Sequence, residues 1–470
     1  MLSKLFPLLD YLYIFQLLEY DRGDFLKWFF NNPLRRNLQK KNSLELTLKI
    51  QFLATITSFI MLTLSTLIAL ILFSGSLLIL VMVYIFFESI SPLFIVFSSI
   101  LFSPFDFYFK FKITQSAKRK LQGLKNLKTV AIIGSYAKTS TKNILYTLLW
   151  KDFYTVKTPK SFNTPVAIAK TILSDLKETT EIFIVEMDAY HPGDIRNLCK
   201  IANPDMAIIT AIAPQHLERF GNIEKLARTQ FEEVQFLKDG PLFLNSMDEL
   251  TMQTHGKFNA QKIFFGGEVD KFRIENVKSK EGGVAFKLIL DRDKIDIDLP
   301  LPGEHNAYNF LAAAAIAYNL GLSAKIIASR ARLILPTEHR LEIRKTGKLT
   351  IIDNSYNTNP KVVISSLKLL KETGKDLKKI LITPGLIEQG KNAEIENKKF
   401  IKNAGKVADE IIIVGESFKL FLKSGLNEAR FPKNKTHFAL STKSAMEIAS
   451  KLAQKDAVIL IENDLPDQYS

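Results

Sequence analysis

Residues 128–149, KTVAIIGSYAKTSTKNILYTLL, decide the fold. A β-branched apolar run (TVAII, 129–133) ends at Gly134 and passes through a short turn into a helical pattern. Strand, glycine turn and helix in immediate succession make phosphate-binding geometry, because the unpaired amides and the dipole of a helix N-terminus face one point. Backbone amides of Gly134, Ser135, Tyr136 and Ala137 would hold a polyphosphate, and the turn delivers Lys138, Thr139 and Ser140 to the helix start. Lys138 would neutralise the phosphates and the Thr139 hydroxyl would coordinate Mg²⁺. The loop is shorter than the usual GxxxxGKS or GxxxxGKT form, with Ala137 where glycine normally precedes the lysine.

Outward from this unit the texture repeats. Apolar runs at 182–185, 207–210, 349–353, 379–383, 410–414 and 457–461 alternate with longer helical patterns, which predicts an α/β protein with parallel sheets covered by helices. Strict alternation within 264–301 (KLILDRDKIDIDLPL) predicts a small antiparallel patch closed by Pro302-Gly303. A helix over His305 to Leu320 leads to a boundary near Pro336. Open α/β sheets place ligands beyond the carboxyl ends of their strands. Glu186 in VEMDAYHPGD falls there and can hold Mg²⁺; His216 and Glu218 in AIAPQHLERFG fall beyond the next strand end.

The N-terminal quarter is different. FLATITSFIMLTLSTLIALILF (52–73) carries no charge and has the length of a bilayer-spanning helix, and a second apolar run follows from Leu77 to about Phe102, interrupted by Glu88 and Pro92. Basic residues precede the first run (Arg35, Arg36, Lys40, Lys41, Lys49) and follow the second (Lys110, Lys112, Lys118, Arg119, Lys120), so both ends are predicted in the cytoplasm. A buried helical pair in a soluble core is the alternative. Glu88, near a turn and a proline, reads as a packed or water-exposed residue rather than a working carboxylate.

The predicted organisation is an amphipathic segment (1–48), a transmembrane hairpin (49–104), a basic linker (105–125), a central α/β domain (126–335) and a C-terminal Rossmann-like domain (336–470). A single cysteine in 470 residues excludes a disulfide framework or a thiolate metal cluster and fits a reducing compartment. The net charge of +15 favours anionic partners. Its basic residues flank the apolar runs and no aromatic-basic surface module occurs, which argues against nucleic acid.

GSYAKTSTK, SFNTP, VEMDAYHPGDI, TAIAPQHLERFG, LPGEHNAYNFLAAAAIA, EHRLE, IDNSYNTNP and PGLIEQG follow one another across roughly residues 125 to 415. In that order they resemble the Mur ligases, ATP-dependent amino-acid and peptide ligases of cell-wall synthesis, nearest the branch that adds D-alanyl-D-alanine. The resemblance implies a central P-loop ATPase domain and an acyl-phosphate mechanism, with ATP and Mg²⁺ as cofactors. It gives Lys138 and Thr139 to the phosphates and Mg²⁺, Glu186 to Mg²⁺ and His216 to a second Mg²⁺. His305, Asn306 and Asn309 would lie near the base, Arg340 would reach the phosphates from the C-terminal domain, and Asp353 and Asn354 would border the nucleotide. Asn163 and Thr164, with the turn Tyr356, Asn357, Asn359 and Pro360, would close on substrate.

Three positions depart from the family pattern. Ala137 replaces the loop glycine, Gln230 stands where many members carry a carbamylated lysine supporting the second metal, and Asn354 replaces the second aspartate of a pair. A larger departure is the absence of any α/β pattern before Lys110, where soluble relatives grip the uridine nucleotide of the precursor. The acceptor is therefore expected to be a muramyl-peptide held by the remaining domains or a lipid-linked precursor, with D-Ala-D-Ala or another amine as donor. The resulting expectation is an enzyme anchored in the bacterial cytoplasmic membrane with its catalytic domains in the cytoplasm. A ligase for another envelope amide or poly-amino acid, and a catalytically weak nucleotide-binding scaffold, remain as alternatives.

Overall fold

A computed structural model describes residues 7–32, 44–73, 75–214, 217–237, 239–280, 282–356, 358–387, 389–453 and 456–464. The chain divides into two compact units, one reaching Phe109 and the other running from Lys110 to Asp464.

The first unit is helical: α1 (Leu8–Leu17), α2 (Arg22–Asn31), α3 (Leu48–Phe73), α4 (Leu77–Ser89) and the start of α5 (Ser91–Gly123). The second apolar run, expected as one span, is two helices parted at Ile90. Pro92 explains the break, because a residue without an N–H fits the first turn of a new helix and disrupts the interior of a continuing one. The expected amphipathic character of the leading segment does not hold for α1. Its consecutive residues Tyr11 to Phe15 are all buried, packed with Phe25, Trp28, Ile50, Leu53 and Ile95. Glu88 is packed as expected and accepts a hydrogen bond from the Leu8 amide at 3.2 Å, in the first turn of α1. The expected basic linker is helical as far as Gly123, since Ile113, Ala117 and Leu121 give it an apolar face that packs into the core of the second unit.

The second unit contains two sheets. The first has the order β2-β3-β1-β4-β5-β6-β7-β8-β9. Its strands are β1 (Lys128–Ile133), β2 (Thr155–Lys157), β3 (Ile182–Glu186), β4 (Met206–Ile209), β5 (Pro241–Asn245), β6 (Gln261–Phe265), β7 (Phe272–Lys280), β8 (Gly283–Leu290) and β9 (Asp293–Leu299). The neighbours from β2 to β7 pair in parallel, and β7 to β9 form an antiparallel meander. The meander is therefore no separate patch, because Phe265 pairs with Phe272 and joins it to the main sheet. Strand alternation explains the continuous apolar runs: Val130, Ile132, Ile184 and Ile208 point into one core, Ala131, Ile133, Val185 and Ile209 into the other. Helix α6 (Lys138–Leu149) and the helix Glu304–Asn319 contribute Leu145, Leu148, Phe310 and Leu311 to the first core.

The second sheet runs β10-β11-β15-β12-β13-β14. It is built from β10 (Glu342–Thr346), β11 (Leu349–Asn354), β12 (Lys378–Thr383), β13 (Glu410–Val414), β14 (Thr436–Ala439) and β15 (Ala457–Glu462), with only the β10–β11 pair antiparallel. The loop after β1 and the turn after β11 both leave carboxyl ends of parallel strands, and both border one cleft.

Candidate active site

The loop between β1 and α6 is held tightly. Gly134 has φ of 137°, and a Cβ there would collide with the Thr210 hydroxyl and approach the Ala211 carbonyl to 2.9 Å. The Ser135 amide donates to Ala211 O at 2.8 Å and its hydroxyl to Ala213 O at 3.1 Å, while Thr210 Oγ1 donates to Tyr136 O at 2.6 Å. Ala137 adopts φ of 67° at the N-cap of α6, so a left-handed position is filled by a residue with a Cβ. That substitution costs about 1 kcal/mol relative to glycine.

Lys138 is buried and donates to Gly134 O at 2.6 Å while pairing with Asp188 at 3.1 Å. One helical turn on, Lys142 is buried against Glu186 at 2.9 Å, and burial lowers its pKa despite that carboxylate. The Thr139 hydroxyl donates to the other Glu186 oxygen at 3.2 Å. Hydroxyl and carboxylate thus form a hard-oxygen pair at the helix N-terminus, of the kind that shares Mg²⁺ with substrate phosphates. Among the described residues no cluster of three or more His, Cys, Asp or Glu could hold a metal by itself. Gln230 is buried at the end of the helix Ile223–Gln230, and its Oε1 has no hydrogen-bond partner among the described residues. A cation would satisfy that acceptor. His216 and Asn357 lie outside the described residues.

The cleft has a volume of about 440 Å³, the scale of a small-molecule pocket. One wall carries Ser135, Tyr136, Ala137, Ser140 and Asp248, and the other carries Arg340, Asn354, Asn359 and Lys361. His305, Asn306 and Asn309 line it from the helix Glu304–Asn319. Burial pushes the His305 imidazole down to about 4, so it is neutral at physiological pH. The Arg340 guanidinium lies 4.3 Å over the Tyr356 ring, and the Tyr356 hydroxyl meets Ser161 at 2.5 Å. Asn359 caps the helix Pro360–Thr373 by accepting from the amides of Lys361 and Val362.

Asn163, Thr164 and Asp353 lie elsewhere. The Thr164 hydroxyl caps the helix Pro165–Asp175, and neither Thr164 nor Asn163 lines the cleft, because the SFNTP turn leads into that helix. Asp353 faces away from Asn354 along β11, taking hydrogen bonds from Ser355 at 2.6 Å and pairing with His339 at 2.8 Å; although burial raises its pKa, these bonds hold it low.

Models of known families match here in chain order: the Mur ligase middle domain over residues 132–317 and the Mur ligase glutamate ligase domain over 339–462. The chain belongs to the Mur ligase family. The UDP-N-acetylmuramoyl-tripeptide--D-alanyl-D-alanine ligase of Bacillus subtilis is 27% identical over 357 residues, covering 74% of this chain and 76% of that one. Among solved structures, the MurF ligase of Thermotoga maritima in complex with ADP has a TM-score of 0.66 at 23% identity, covering 76% of this chain and 80% of that one. A MurF crystal structure from Acinetobacter baumannii has a TM-score of 0.68 at 23% identity, covering 76% and 77%. These structures share the fold.

Within this Mur ligase chain the cleft residue Asp248 and the buried Lys142 and Glu233 escape motif reading. Lys142 had a signal, since it sits four residues after Lys138 and one helical turn places both on the same face. Asp248 had none. It caps the helix Glu249–Thr254, accepts the Ile212 amide at 3.0 Å and binds Lys361 at 2.6 Å, so three distant segments meet at one carboxylate. The same holds for Glu233, whose carboxyl is wholly buried with no hydrogen-bond partner among the described residues, and burial raises its pKa well above the usual carboxylate range.

Proposed function

We propose that this Mur ligase joins D-alanyl-D-alanine to a UDP-muramyl-tripeptide at the expense of ATP. The observation that carries the reading is the cleft that Ser135, Tyr136 and Ala137 of the loop before Lys138 line together with Arg340, Asn354 and Asn359. In the first step a carboxylate oxygen of the tripeptide attacks the γ-phosphorus, the bond to the β-bridging oxygen breaks, and ADP leaves with its electron pair. The donor amine then attacks the acyl carbon, and inorganic phosphate departs as an amide bond forms. Neither step needs a covalent enzyme intermediate. The protein acts by positioning and by opposing the charge on the phosphoryl oxygens, for which Lys138 and Arg340 are the proposed cations.

Thr139 and Glu186 are proposed to hold Mg²⁺, with Gln230 and His216 near a second ion. Bound there, Mg²⁺ would supply neutralisation of the phosphates. Asn163, Thr164, Tyr356, Asn357 and Asn359 are proposed to face the peptide substrates as the domains close, and a hinge near Leu335-Pro336-Thr337 is proposed to allow it.

The test is phosphate release by the full chain with ATP, Mg²⁺ and UDP-muramyl-tripeptide, with and without D-Ala-D-Ala. Release that requires both substrates is the expected result. Release with a lipid-linked tripeptide alone would reassign the acceptor. ATP binding without release under any combination would refute the ligase and favour the second reading, a nucleotide-binding scaffold, for which the strained Ala137 speaks.

We further propose that the first unit is embedded in a bilayer with the ligase unit in the cytoplasm. Helix α3 has 26 residues, and only 22% of its most apolar window is buried within the protein. Phe59, Leu67, Leu70, Ile71, Leu77, Met82 and Phe86 are all at least half exposed, which argues against a buried pair in a soluble core. Left in water, each would forgo at least half of the roughly 1.5–3 kcal/mol that full burial of such a side chain contributes. Exposed Phe105, Phe107, Tyr108 and Phe109, interleaved with Asp106 and Lys110, form an aromatic belt of the interfacial kind. The chain is expected to stay in the pellet when membranes are washed with alkaline carbonate; extraction into the supernatant would refute the embedding.

A further inference from the structure

We infer that Glu462 is a positioning residue for the cleft, fixing through Asn354 which end of that side-chain amide the cleft presents to its ligand. The inference rests on the reading of the cleft as a nucleotide site.

Glu462 closes β15 and is fully buried, directly opposite Asn354 in the β11–β15 register. Its Oε1 accepts from Asn354 Nδ2 at 2.9 Å and from the Thr358 hydroxyl, while its Oε2 has no hydrogen-bond partner among the described residues. An ionised carboxylate only accepts. The amide nitrogen of Asn354 must therefore turn toward it, which leaves Asn354 Oδ1 for the cleft that this residue lines beside Arg340 and Asn359. With Glu462 ionised, a ligand meets a hydrogen-bond acceptor at position 354. A protonated Glu462 can donate to Asn354 Oδ1 instead, and the restraint on the amide is lost.

Among the described residues no cation compensates this carboxylate. Asn354 on β11, Thr358 in the turn and Ser366 on the helix Pro360–Thr373 are neutral, and β12 brings Ile382 and Thr383 alongside. The charged residue adjacent along β11, Asp353, points to the other face with His339 and Arg344. Burial, only partly offset by these hydrogen bonds, pushes the Glu462 carboxyl up to about 7. The acceptor is therefore presented above neutral pH, and the restraint fades below it.

The test is ADP affinity of the full chain by calorimetry for wild type and Glu462→Gln, from about pH 5.5 to about pH 8.5. The ratio of the two dissociation constants cancels the titration of ADP itself. A glutamine can offer either its oxygen or its nitrogen to Asn354, so it no longer enforces one orientation. One hydrogen bond's worth of difference predicts a variant weaker by about 3–10-fold at the alkaline end, with the ratio falling to about 1 at the acid end. In an Asn354→Ala background the Glu462→Gln change should add nothing further, and Thr358→Val should move the pH-dependence to higher pH, because it removes one of the bonds that offset burial. A ratio independent of pH, or a full Glu462→Gln effect in the Asn354→Ala background, would overturn the inference and leave Glu462 as a buttress of the turn. A wild-type chain that binds no ADP at any pH would overturn the nucleotide reading of the cleft and this inference with it.

Discussion

Replacing Lys138 by alanine is expected to lower the rate of ATP-dependent ligation by about 10²–10³-fold, the range measured when one preorganised partner of a developing charge is removed. The ammonium is buried at the N-terminus of α6, where amides, helix dipole and cation all favour the same anion. Its present partners, Gly134 O at 2.6 Å and Asp188 at 3.1 Å, hold it inside the loop. Alanine also leaves Asp188 without its cation, so a melting curve must accompany the assay. Lys138→Met keeps most of the stem and separates packing from charge. Both variants should lose turnover far more than thermal stability, and ADP binding should weaken less than turnover, because phosphoryl charge develops most fully during transfer. A Lys138→Met variant that folds and turns over within a few-fold of wild type would remove Lys138 from the mechanism.

What could be read in the sequence and what could not divide along a physical line. The strand-loop-helix at 128–149 was legible because every residue that makes it is local: β-branched residues for the strand, Gly134 for the turn, Lys138 for the helix start. The turn after β11 was legible for the same reason. Ala137 and Asn354 could be seen as departures, but their consequences lie in contacts that no local pattern contains. The strain at Ala137 follows from its φ of 67°, and the partner of Asn354 is Glu462, more than a hundred residues away in sequence. The link from Asp248 to Lys361 is of the same kind. In the N-terminal unit, composition marked the apolar runs correctly and missed the break at Ile90, although Pro92 was visible. Hydropathy reports whether a residue suits an apolar environment and says little about where a helix ends.

Arg340→Ala is expected to reduce turnover by about 10²-fold, and Arg340→Lys is expected not to restore it. The reason is the shape of the guanidinium. Its central carbon lies 4.3 Å from the centre of the Tyr356 ring, and the hydroxyl of that ring meets Ser161, which belongs to the central domain. A planar cation stacked on an aromatic face points its edge, with its N–H donors, in a fixed direction, whereas an ammonium on a flexible stem does not. The arginine comes from the C-terminal wall and the Lys138 loop from the central one, so the two proposed cations meet one phosphoryl group only when the walls are together. Arg340 should therefore act on the rate of the chemical step in the closed form more than on nucleotide capture: kcat falls while the ADP dissociation constant changes by less than about tenfold. Tyr356→Phe offers a finer cut, since it keeps the stacked face and removes the bond to Ser161. If closure depends on that bond, Tyr356→Phe lowers kcat in the same direction as Arg340→Ala, and its effect shrinks when the arginine is already absent. Full activity of Arg340→Lys would show that charge alone suffices at this position, and the stacked geometry would then be packing without a part in the reaction.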